Sequence, residues 1–399
     1  MDENCYEINI YSFLENLNSP LGIVANPTNI QELYIVEQYG LIWKYNKDSK
    51  EKTIFLDIKE WIPNLDPEND ERGLLSMAFN PEFGNERSIH KETFYIFYST
   101  KNAKYKVAES YSKDTVKKGF SKNQVYYNCL SAFTKLLPNG SADKKSEIVL
   151  LTIQKKIKYH NGGKIAFGPD GFLYIIVGDG GPQEDPYNKA QDLSVWHGKI
   201  LRINVSKESV NRRYDIPIDN PFINENNAKS EIYAYGLRNP WSICWDHKKR
   251  LIVADVGYDS KEEVNIIIKG GNYGWNYKEG TLISKWTDRI PKDLIDPVYQ
   301  YDTPNPIGCI IGGYAISSLY DSNTVWYIFA DISGLLSIIE ENPETKIWSV
   351  IASTQFEKGI FIKSFGKIDN GDIFIMTSRK YGPSEKTGEI LTLNFANCK

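Results

Sequence analysis

Short runs of apolar and aromatic residues recur along the whole chain, and each is followed by an acidic or glycine-containing turn and then a second apolar run. Runs of this length that are rich in β-branched and aromatic residues predict β-strands rather than helices. The pattern therefore predicts one structural template in six copies. The copies are Leu33–Glu37 with Gly40–Ile42, Thr93–Phe97, Leu173–Val177 with Gly198–Leu201, Arg250–Asp255, Val325–Asp331 with Gly334–Leu336, and Asp372–Met376 with Gly388–Leu391.

Tight turns precede several of these strands, as at Pro169-Asp170-Gly171 and Asp369-Asn370-Gly371. Glycine supplies the positive φ that a tight hairpin needs, so the strands are expected to pair as hairpins. Four-stranded antiparallel units at intervals of roughly 40 to 80 residues are typical of propeller blades, because radial repetition protects sheet edges. The sequence predicts an all-β fold, a six-bladed β-propeller. A pair of β-sandwiches is the alternative, and it explains one recurring template less well.

No change of composition and no Pro- or Ser-rich linker divides the chain, so we expect a single domain over residues 1–399. Large all-β units often exceed ordinary domain lengths. The segment 101–124 carries seven lysines and few large apolar residues. It is interpreted as a solvated insertion loop rather than a binding patch.

Charge and hydropathy exclude some classes of function. The chain has 51 acidic and 47 basic residues, so nothing general favours nucleic acid or an anionic membrane as a partner. No apolar run approaches the roughly 20 residues of a membrane-spanning helix. The beginning of the chain, Met1–Cys5, lacks the features of a signal peptide, which predicts an intracellular protein by default.

Five cysteines lie far apart, without the CxxC spacing of a zinc site. Their odd number favours reduced thiols, with a disulfide between Cys5 and Cys398 as the alternative. The five are Cys5, Cys129, Cys244, Cys309 and Cys398.

Four segments differ from ordinary strands and turns, and each has a structural alternative. His160 stands on a Gly-Gly turn, where its imidazole could accept a proton or simply satisfy backbone carbonyls. Arg238 before Pro-Trp could contact a ligand or tie blades together. Glu71 could line a site or solvate a strand. Acidic residues and glycine turns between Asp255 and Trp275 could hold Ca²⁺, which binds carboxylate and carbonyl oxygens.

The sequence lacks the motifs of several other common enzyme classes. There is no phosphate-binding loop, no HExxH pair and no GxSxG elbow. His90, His197 and His247 lie outside the four segments and are interpreted as surface or structural groups.

Together and in order, the four segments resemble the glucose/sorbosone dehydrogenase family. Its members include soluble quinoprotein glucose dehydrogenases, aldose sugar dehydrogenases and the propeller of hedgehog-interacting protein. The resemblance runs from Ser19 to Leu391 and implies a six-bladed propeller, in agreement with the repeat count. Its most specific parts are His160-Asn161-Gly162-Gly163, Gly236-Leu237-Arg238-Asn239-Pro240-Trp241, Asp255-Val256-Gly257 and Gly270-Gly271-Asn272-Tyr273-Gly274-Trp275.

The resemblance implies pyrroloquinoline quinone held with Ca²⁺ in the central channel, and oxidation of a sugar C1 hydroxyl to a lactone. It implies that His160 is the general base and that Arg238 and Asn239 lie beside the quinone. It also implies that the carbonyls of Gly257 and Tyr258 bind the cofactor's calcium.

The resemblance further implies a second, structural calcium ion at Glu263 and the Tyr273 carbonyl. The closing strands, Phe374–Pro383 and Gly388–Ile390, are similar in style to the hedgehog-interacting proteins, which are binders rather than known dehydrogenases.

Three residues depart from the family pattern. Glu71 replaces a neutral glutamine, so a carboxylate would face the tricarboxylate cofactor unless Arg72 compensates. Ser317 and Leu335 stand where cations are expected. A polyanionic cofactor needs cationic partners, because an unpaired buried charge costs several kcal/mol.

Two functions therefore stay open, an aldose dehydrogenase and a catalytically silent propeller that binds a protein or a glycan, with a calcium-dependent lactonase as a minor third. A sugar or another small polar molecule in the channel is the ligand expected of the first. Two or more cations around His160, placed to meet carboxylates, would favour the quinone.

Overall fold

The chain, in a computed structural model, is described over residues 6–101, 125–206, 213–284, 290–304, 308–319, 321–368 and 371–397. These residues form six four-stranded antiparallel sheets, which confirms the predicted all-β, six-bladed propeller. Nearly all of the predicted lysine-rich loop, the residues Asp369 and Asn370, and the cysteines Cys5 and Cys398 lie outside the described residues.

Strand β1 (Tyr6–Leu17) precedes the blades, and each blade then begins with its innermost strand. Blade 1 consists of β2 (Pro20–Asn26), β3 (Asn29–Glu37), β4 (Leu41–Asn46) and β5 (Lys52–Asp57). Blade 2 consists of β6 (Leu74–Phe79), β7 (Phe94–Thr100), β8 (Tyr126–Phe133) and β9 (Glu147–Lys155). Blade 3 consists of β10 (Ile165–Phe167), β11 (Leu173–Val177), β12 (Lys199–Ile203) and β13 (Ile232–Tyr235).

The second half of the ring has the same order, with one inserted hairpin. Blade 4 consists of β14 (Pro240–Trp245), β15 (Leu251–Asp255), β16 (Lys261–Ile267) and β19 (Tyr299–Asp302), with the hairpin β17 (Lys278–Glu279) and β18 (Leu282–Ile283) inserted before β19. Blade 5 consists of β20 (Ile310–Ser317), β21 (Val325–Asp331), β22 (Leu335–Glu341) and β23 (Trp348–Gln355). Blade 6 consists of β24 (Phe361–Lys367), β25 (Ile373–Ser378), β26 (Gly388–Asn397) and β1.

The ring is closed by the two ends of the chain. Strand β1 pairs antiparallel with β26, with Ile10 opposite Leu393, so blade 6 contains the first and the last strand. The innermost strands β2, β6, β10, β14, β20 and β24 contact one another in that order, and β24 returns to β2. The central channel runs between them.

The hydrophobic core lies between the blades. Among the described residues, one apolar cluster fills each of the six gaps between neighbouring blades. Strands β11 and β21 are buried along their whole lengths because both faces of each sheet pack on a neighbour. This explains why the six strand templates read as continuous apolar runs, and each one falls on the second strand of a blade.

Helical structure is sparse. Two single-turn 3₁₀ helices, Lys59–Trp61 and Lys144–Ser146, connect strands. No described helix has the length and apolarity that crossing a membrane would require.

Close approach of the innermost strands gives a test of the packing. A Cβ on Gly366 of β24 would lie 2.2 Å from Ile23 Cγ2 and 2.8 Å from the Ile23 carbonyl oxygen, whereas a Cβ on Gly22 would lie 3.6 Å from Val36. We expect Gly366→Ala to lower the free energy of unfolding by about 1–3 kcal/mol, because overpacking forces backbone shifts. Gly22→Ala should cost less than about 1 kcal/mol. Urea denaturation measures both, and equal losses would contradict this packing.

Candidate functional site

The segments that lead into the innermost strands meet at one end of the channel. They surround a cavity of about 290 Å³. One residue at the beginning of each innermost strand, or just before it, lines this cavity, so the six blades each contribute one side of the wall. In blade order these residues are Leu21, Glu71, His160, Arg238, Cys309 and Lys363.

His160 is held in one orientation. Its backbone has a φ of +53°, in the left-handed region, and only 3% of the residue is exposed. Imidazole Nδ1 lies 2.7 Å from Asp179 Oδ1, and Nε2 lies 3.0 Å from Gln183 Oε1. Because an ionised carboxylate only accepts hydrogen bonds, Nδ1 is the donor to Asp179. Gln183 Oε1 is also an acceptor, so its contact with Nε2 is a hydrogen bond only when Nε2 carries a proton as well.

The carboxylate of Asp179 holds the imidazole of His160 in that orientation. It is completely buried and also accepts hydrogen bonds from Trp275 Nε1 at 2.8 Å and from a backbone N–H two residues on at 2.7 Å. Burial acts to raise the pKa of Asp179, but His160 and the charges of Arg238 and Lys189 outweigh it and hold that pKa well below its usual range. The carboxylate is therefore available to stabilise a protonated imidazole.

Arg238 and Asn239 are positioned by the buried carboxylate of Asp255. Asp255 accepts the backbone N–H of Arg238 at 2.9 Å and that of Asn239 at 2.7 Å. The guanidinium of Arg238 donates to Gln183 Oε1 at 2.6 Å and to the Gly257 carbonyl at 2.5 Å. Among the described residues no carboxylate pairs with this guanidinium, although it lines the cavity.

Glu71 also lines the cavity, as expected. Its Oε2 accepts Asn239 Nδ2 at 3.2 Å and the backbone N–H of Asn161 at 3.4 Å. Arg72 does not compensate the charge of Glu71, because its guanidinium forks onto Asp70 at 2.9 and 2.6 Å. The carboxylate of Glu71 therefore has only neutral partners within the described part of the chain.

Lys363 is a cation that the sequence reasoning missed. It stands near the start of β24 and lines the cavity, and its amine donates to the Tyr381 carbonyl. Burial lowers the pKa of Lys363 to about 7, so an anionic ligand would help to keep its proton in place. A lysine inside the apolar start of an innermost strand, next to Phe361 and Ile362, was the available signal.

Ser317 and Leu335 are the two positions where the sequence comparison led us to expect cations. Ser317 is the last residue of β20, at the end away from the cavity, and its hydroxyl lies 3.3 Å from Nδ1 of the exposed His247. Leu335 begins β22, two strands outward from the channel, opposite Gln355. Neither side chain lines the cavity, although Leu335 follows the turn after Ile332, which does.

Gly257 and Tyr258 lie at the cavity wall on a loop held by one buried carboxylate. Glu279 Oε1 accepts four consecutive backbone N–H groups, those of residues 258–261, at 2.7–3.1 Å. The Gly257 carbonyl, expected to bind calcium, accepts a hydrogen bond from Arg238 instead. A cation at Gly257 and Tyr258 would therefore share that carbonyl with the guanidinium.

Glu263 and Tyr273 have different hydrogen-bond partners in the described structure. Glu263 accepts the Gly280 N–H at 2.5 Å and Asn265 Nδ2 at 3.1 Å, and burial raises the pKa of Glu263 to about 7. The Tyr273 hydroxyl donates to the Ile266 carbonyl. The buried Asn265 Oδ1 accepts no hydrogen bond, which leaves one oxygen available to a hard cation beside Glu263.

No three His, Cys, Asp or Glu side chains of the described residues gather as a metal site would require. The other histidines lie outside the cavity: His197 is buried against the Gln154 carbonyl, and His90 lies against the Ser206 carbonyl. Cys129, Cys244 and Cys309 are free thiols.

Comparison with known proteins shows which family the chain resembles. A sequence profile described as glucose/sorbosone dehydrogenase matches residues 17–316. The chain is 29% identical to the HIPL1 protein of Arabidopsis thaliana over 90% of this chain and 60% of that protein. It is 25% identical to human hedgehog-interacting protein over 97% of this chain and 52% of that protein.

A bacterial relative extends the sequence comparison, and a solved structure has the same fold. Quinoprotein glucose dehydrogenase B of Acinetobacter calcoaceticus is 31% identical over 66% of this chain and 51% of that protein. The chain thus spans only 51–60% of the length of these three curated relatives. The PQQ-bound aldose sugar dehydrogenase of Streptomyces coelicolor has the same fold, with a TM-score of 0.68 at 21% identity over 98% of this chain and 99% of that one.

A buried lysine behind His160 makes stability depend on pH. Lys155 Nζ donates to the His160 carbonyl at 2.6 Å, and burial, aided by the charge of Lys189, lowers the pKa of Lys155 to about 7. Between that value and its usual 10.5, the unfolded chain binds a proton that the folded chain lacks, so stability rises with pH.

We expect Lys155→Met to reduce the slope of unfolding free energy against pH by about 1 kcal/mol per unit between about pH 7.5 and 9. Urea denaturation over that range measures the slope. A slope unchanged by the substitution would contradict the assignment.

Proposed function

The chain belongs to the glucose/sorbosone dehydrogenase family, and we propose that it is a quinone- and calcium-dependent aldose dehydrogenase that oxidises the C1 hydroxyl of a sugar to a lactone. One observation carries the proposal. The oriented pair of His160 and Asp179 faces the same cavity as two cations, Arg238 and Lys363, that pair with no described carboxylate. This meets the requirement for two cations placed to meet a polyanionic cofactor.

The cavity suits pyrroloquinoline quinone in part. Arg238 and Lys363 would hold its carboxylates, and aromatic side chains, including Trp241 and Tyr381, also line the cavity. An arginine fork suits a carboxylate, and a lysine amine supplies a point charge. Glu71 opposes an anion on its own side of the cavity, which favours placing the carboxylates near blades 4 to 6.

Calcium would be held by the backbone carbonyls of Gly257 and Tyr258, with the cofactor's own oxygens completing its shell. The Glu279 anchor holds this loop in place. A second calcium would use Glu263 and the free Asn265 Oδ1, and the Tyr273 carbonyl stays an expectation for that site.

The chemistry that a bound quinone supplies is acceptance of the hydride leaving the sugar C1. His160 Nε2 accepts the C1 hydroxyl proton as that hydride leaves, so the two electrons leave with the hydride and the carbonyl forms at C1. To accept that proton Nε2 must carry none, so the sugar hydroxyl would have to replace Gln183 Oε1 as its partner. Asp179 would stabilise the resulting imidazolium, and Arg238 would retain Gln183 Oε1 after it leaves Nε2.

One observation favours a second function, a silent propeller that binds a protein or a glycan. The carboxylate of Glu71 faces a cavity that would receive an anionic cofactor, and two of the relatives are HIPL1 and hedgehog-interacting protein. The following two experiments separate the candidates.

Reconstitution tests the chemistry. With the quinone and Ca²⁺, the protein should show cofactor absorbance and reduce a dye with at least one of a panel of aldoses. His160→Ala should keep the absorbance and lose about 10²–10⁴-fold in kcat, because the proton acceptor is gone. His247→Ala, at an exposed position, should change neither. No absorbance and no dye reduction by the wild-type protein would favour the silent propeller.

Quinone affinity tests the missed cation. Lys363→Met should weaken quinone binding at least about tenfold, because a hydrogen bond to a charged group contributes about 1.5–3 kcal/mol. Lys367→Met is the matched control: Lys367 lies on the same strand, donates to the Ala315 carbonyl and does not line the cavity. Fluorescence titration gives both affinities. Equal affinities for the two variants would remove Lys363 from the site.

A further inference from the structure

Charge is unevenly distributed around the cavity. The blades follow one another around the ring in chain order, so blades 2 and 3 lie across the axis from blades 5 and 6. Glu71 and His160 come from the segments leading into blades 2 and 3, whereas Arg238 and Lys363 belong to blades 4 and 6. Blade 4 is next to blade 3, so Arg238 lies beside His160, where both contact Gln183 Oε1, whereas Lys363 lies across the axis from His160.

No described side chain of the protein neutralises the negative charge of Glu71. Glu71 Oε2 accepts only an amide N–H₂ and a backbone N–H, at 3.2 and 3.4 Å, and its Oε1 accepts nothing from the described residues. The adjacent cation, Arg72, is engaged by Asp70 through a bidentate pair. A carboxylate in this state lowers its free energy by binding a cation or a strong donor.

Glu71 is also close to the reacting position. The backbone N–H that it accepts belongs to Asn161, the residue after His160. If the C1 hydroxyl of a sugar meets His160 Nε2, the substituent on the neighbouring carbon is the part of the ring best placed to reach Glu71. A group at C2 is therefore what this carboxylate would recognise.

We propose that Glu71 selects an aldose that carries an ammonium group at C2, a 2-amino-2-deoxyaldose, over the neutral sugar. This inference rests on the proposed function, since it assumes that His160 receives the C1 hydroxyl. A charge-assisted hydrogen bond is roughly twice as strong as a neutral one.

A structural role for Glu71 makes a different prediction. If Glu71 served only to accept hydrogen bonds from Asn161 and Asn239, Glu71→Gln would preserve that role, because the glutamine carbonyl is also an acceptor. Only the charge is lost in this substitution. Glu68→Gln is the matched control, because Glu68 is exposed in the same loop and does not line the cavity.

The test is calorimetric titration of the quinone- and calcium-treated protein with glucosamine, N-acetylglucosamine and glucose at about pH 6, where the amino sugar is protonated. Glucosamine should bind at least about tenfold more tightly than glucose or the acetylated sugar. Glu71→Gln should remove that preference, and Glu68→Gln should keep it.

The outcomes separate this inference from the proposed function. Equal affinity for the three sugars, or a preference for glucosamine that survives Glu71→Gln, overturns the inference. If dye reduction with glucose persists in that case, the proposed function stands without it. Failure of all three sugars to bind also overturns the inference, and failure of dye reduction in the same preparation overturns the proposed function as well.

Discussion

Closure of the ring by pairing of β1 with β26 is the constraint on which the rest of the structure depends. Each blade packs on the next through an apolar cluster. The circle is closed where the first and last strands pair within blade 6 and an apolar cluster joins blade 6 to blade 1. Closure brings the starts of six innermost strands around one axis. Residues separated by hundreds of positions, such as Glu71 and Lys363, thereby line the same cavity.

Within this ring, three buried carboxylates position the residues of the site. Asp179 orients the imidazole of His160, Asp255 holds the backbone of Arg238 and Asn239, and Glu279 gathers the loop beginning at Tyr258. Each is buried and satisfied by specific donors, so the groups facing the cavity are preorganised before any ligand binds. Glu71, Arg238 and Lys363 line the cavity and pair with no oppositely charged side chain of the described residues, so a ligand can meet their charges there.

Much of this was predictable from sequence, for physical reasons. The second strand of each blade is buried on both faces, so its sequence is a continuous apolar run, and six such runs predict six blades. The two glycines after His160 mark that turn in the sequence. Residues whose role depends on register or on long-range closure were not predictable. Lys363 looks like an ordinary strand lysine until β24 is placed on the channel, and Ser317 seemed to belong to the site until the direction of β20 put it at the far end of that strand.

The most direct measurement is a crystal structure of the protein grown with pyrroloquinoline quinone and Ca²⁺. The account predicts cofactor carboxylates within hydrogen-bond distance of Arg238 and Lys363, with His160 Nε2 facing the space left for the sugar. Density for the quinone elsewhere, or carboxylates placed against Glu71 with Lys363 uninvolved, would contradict it.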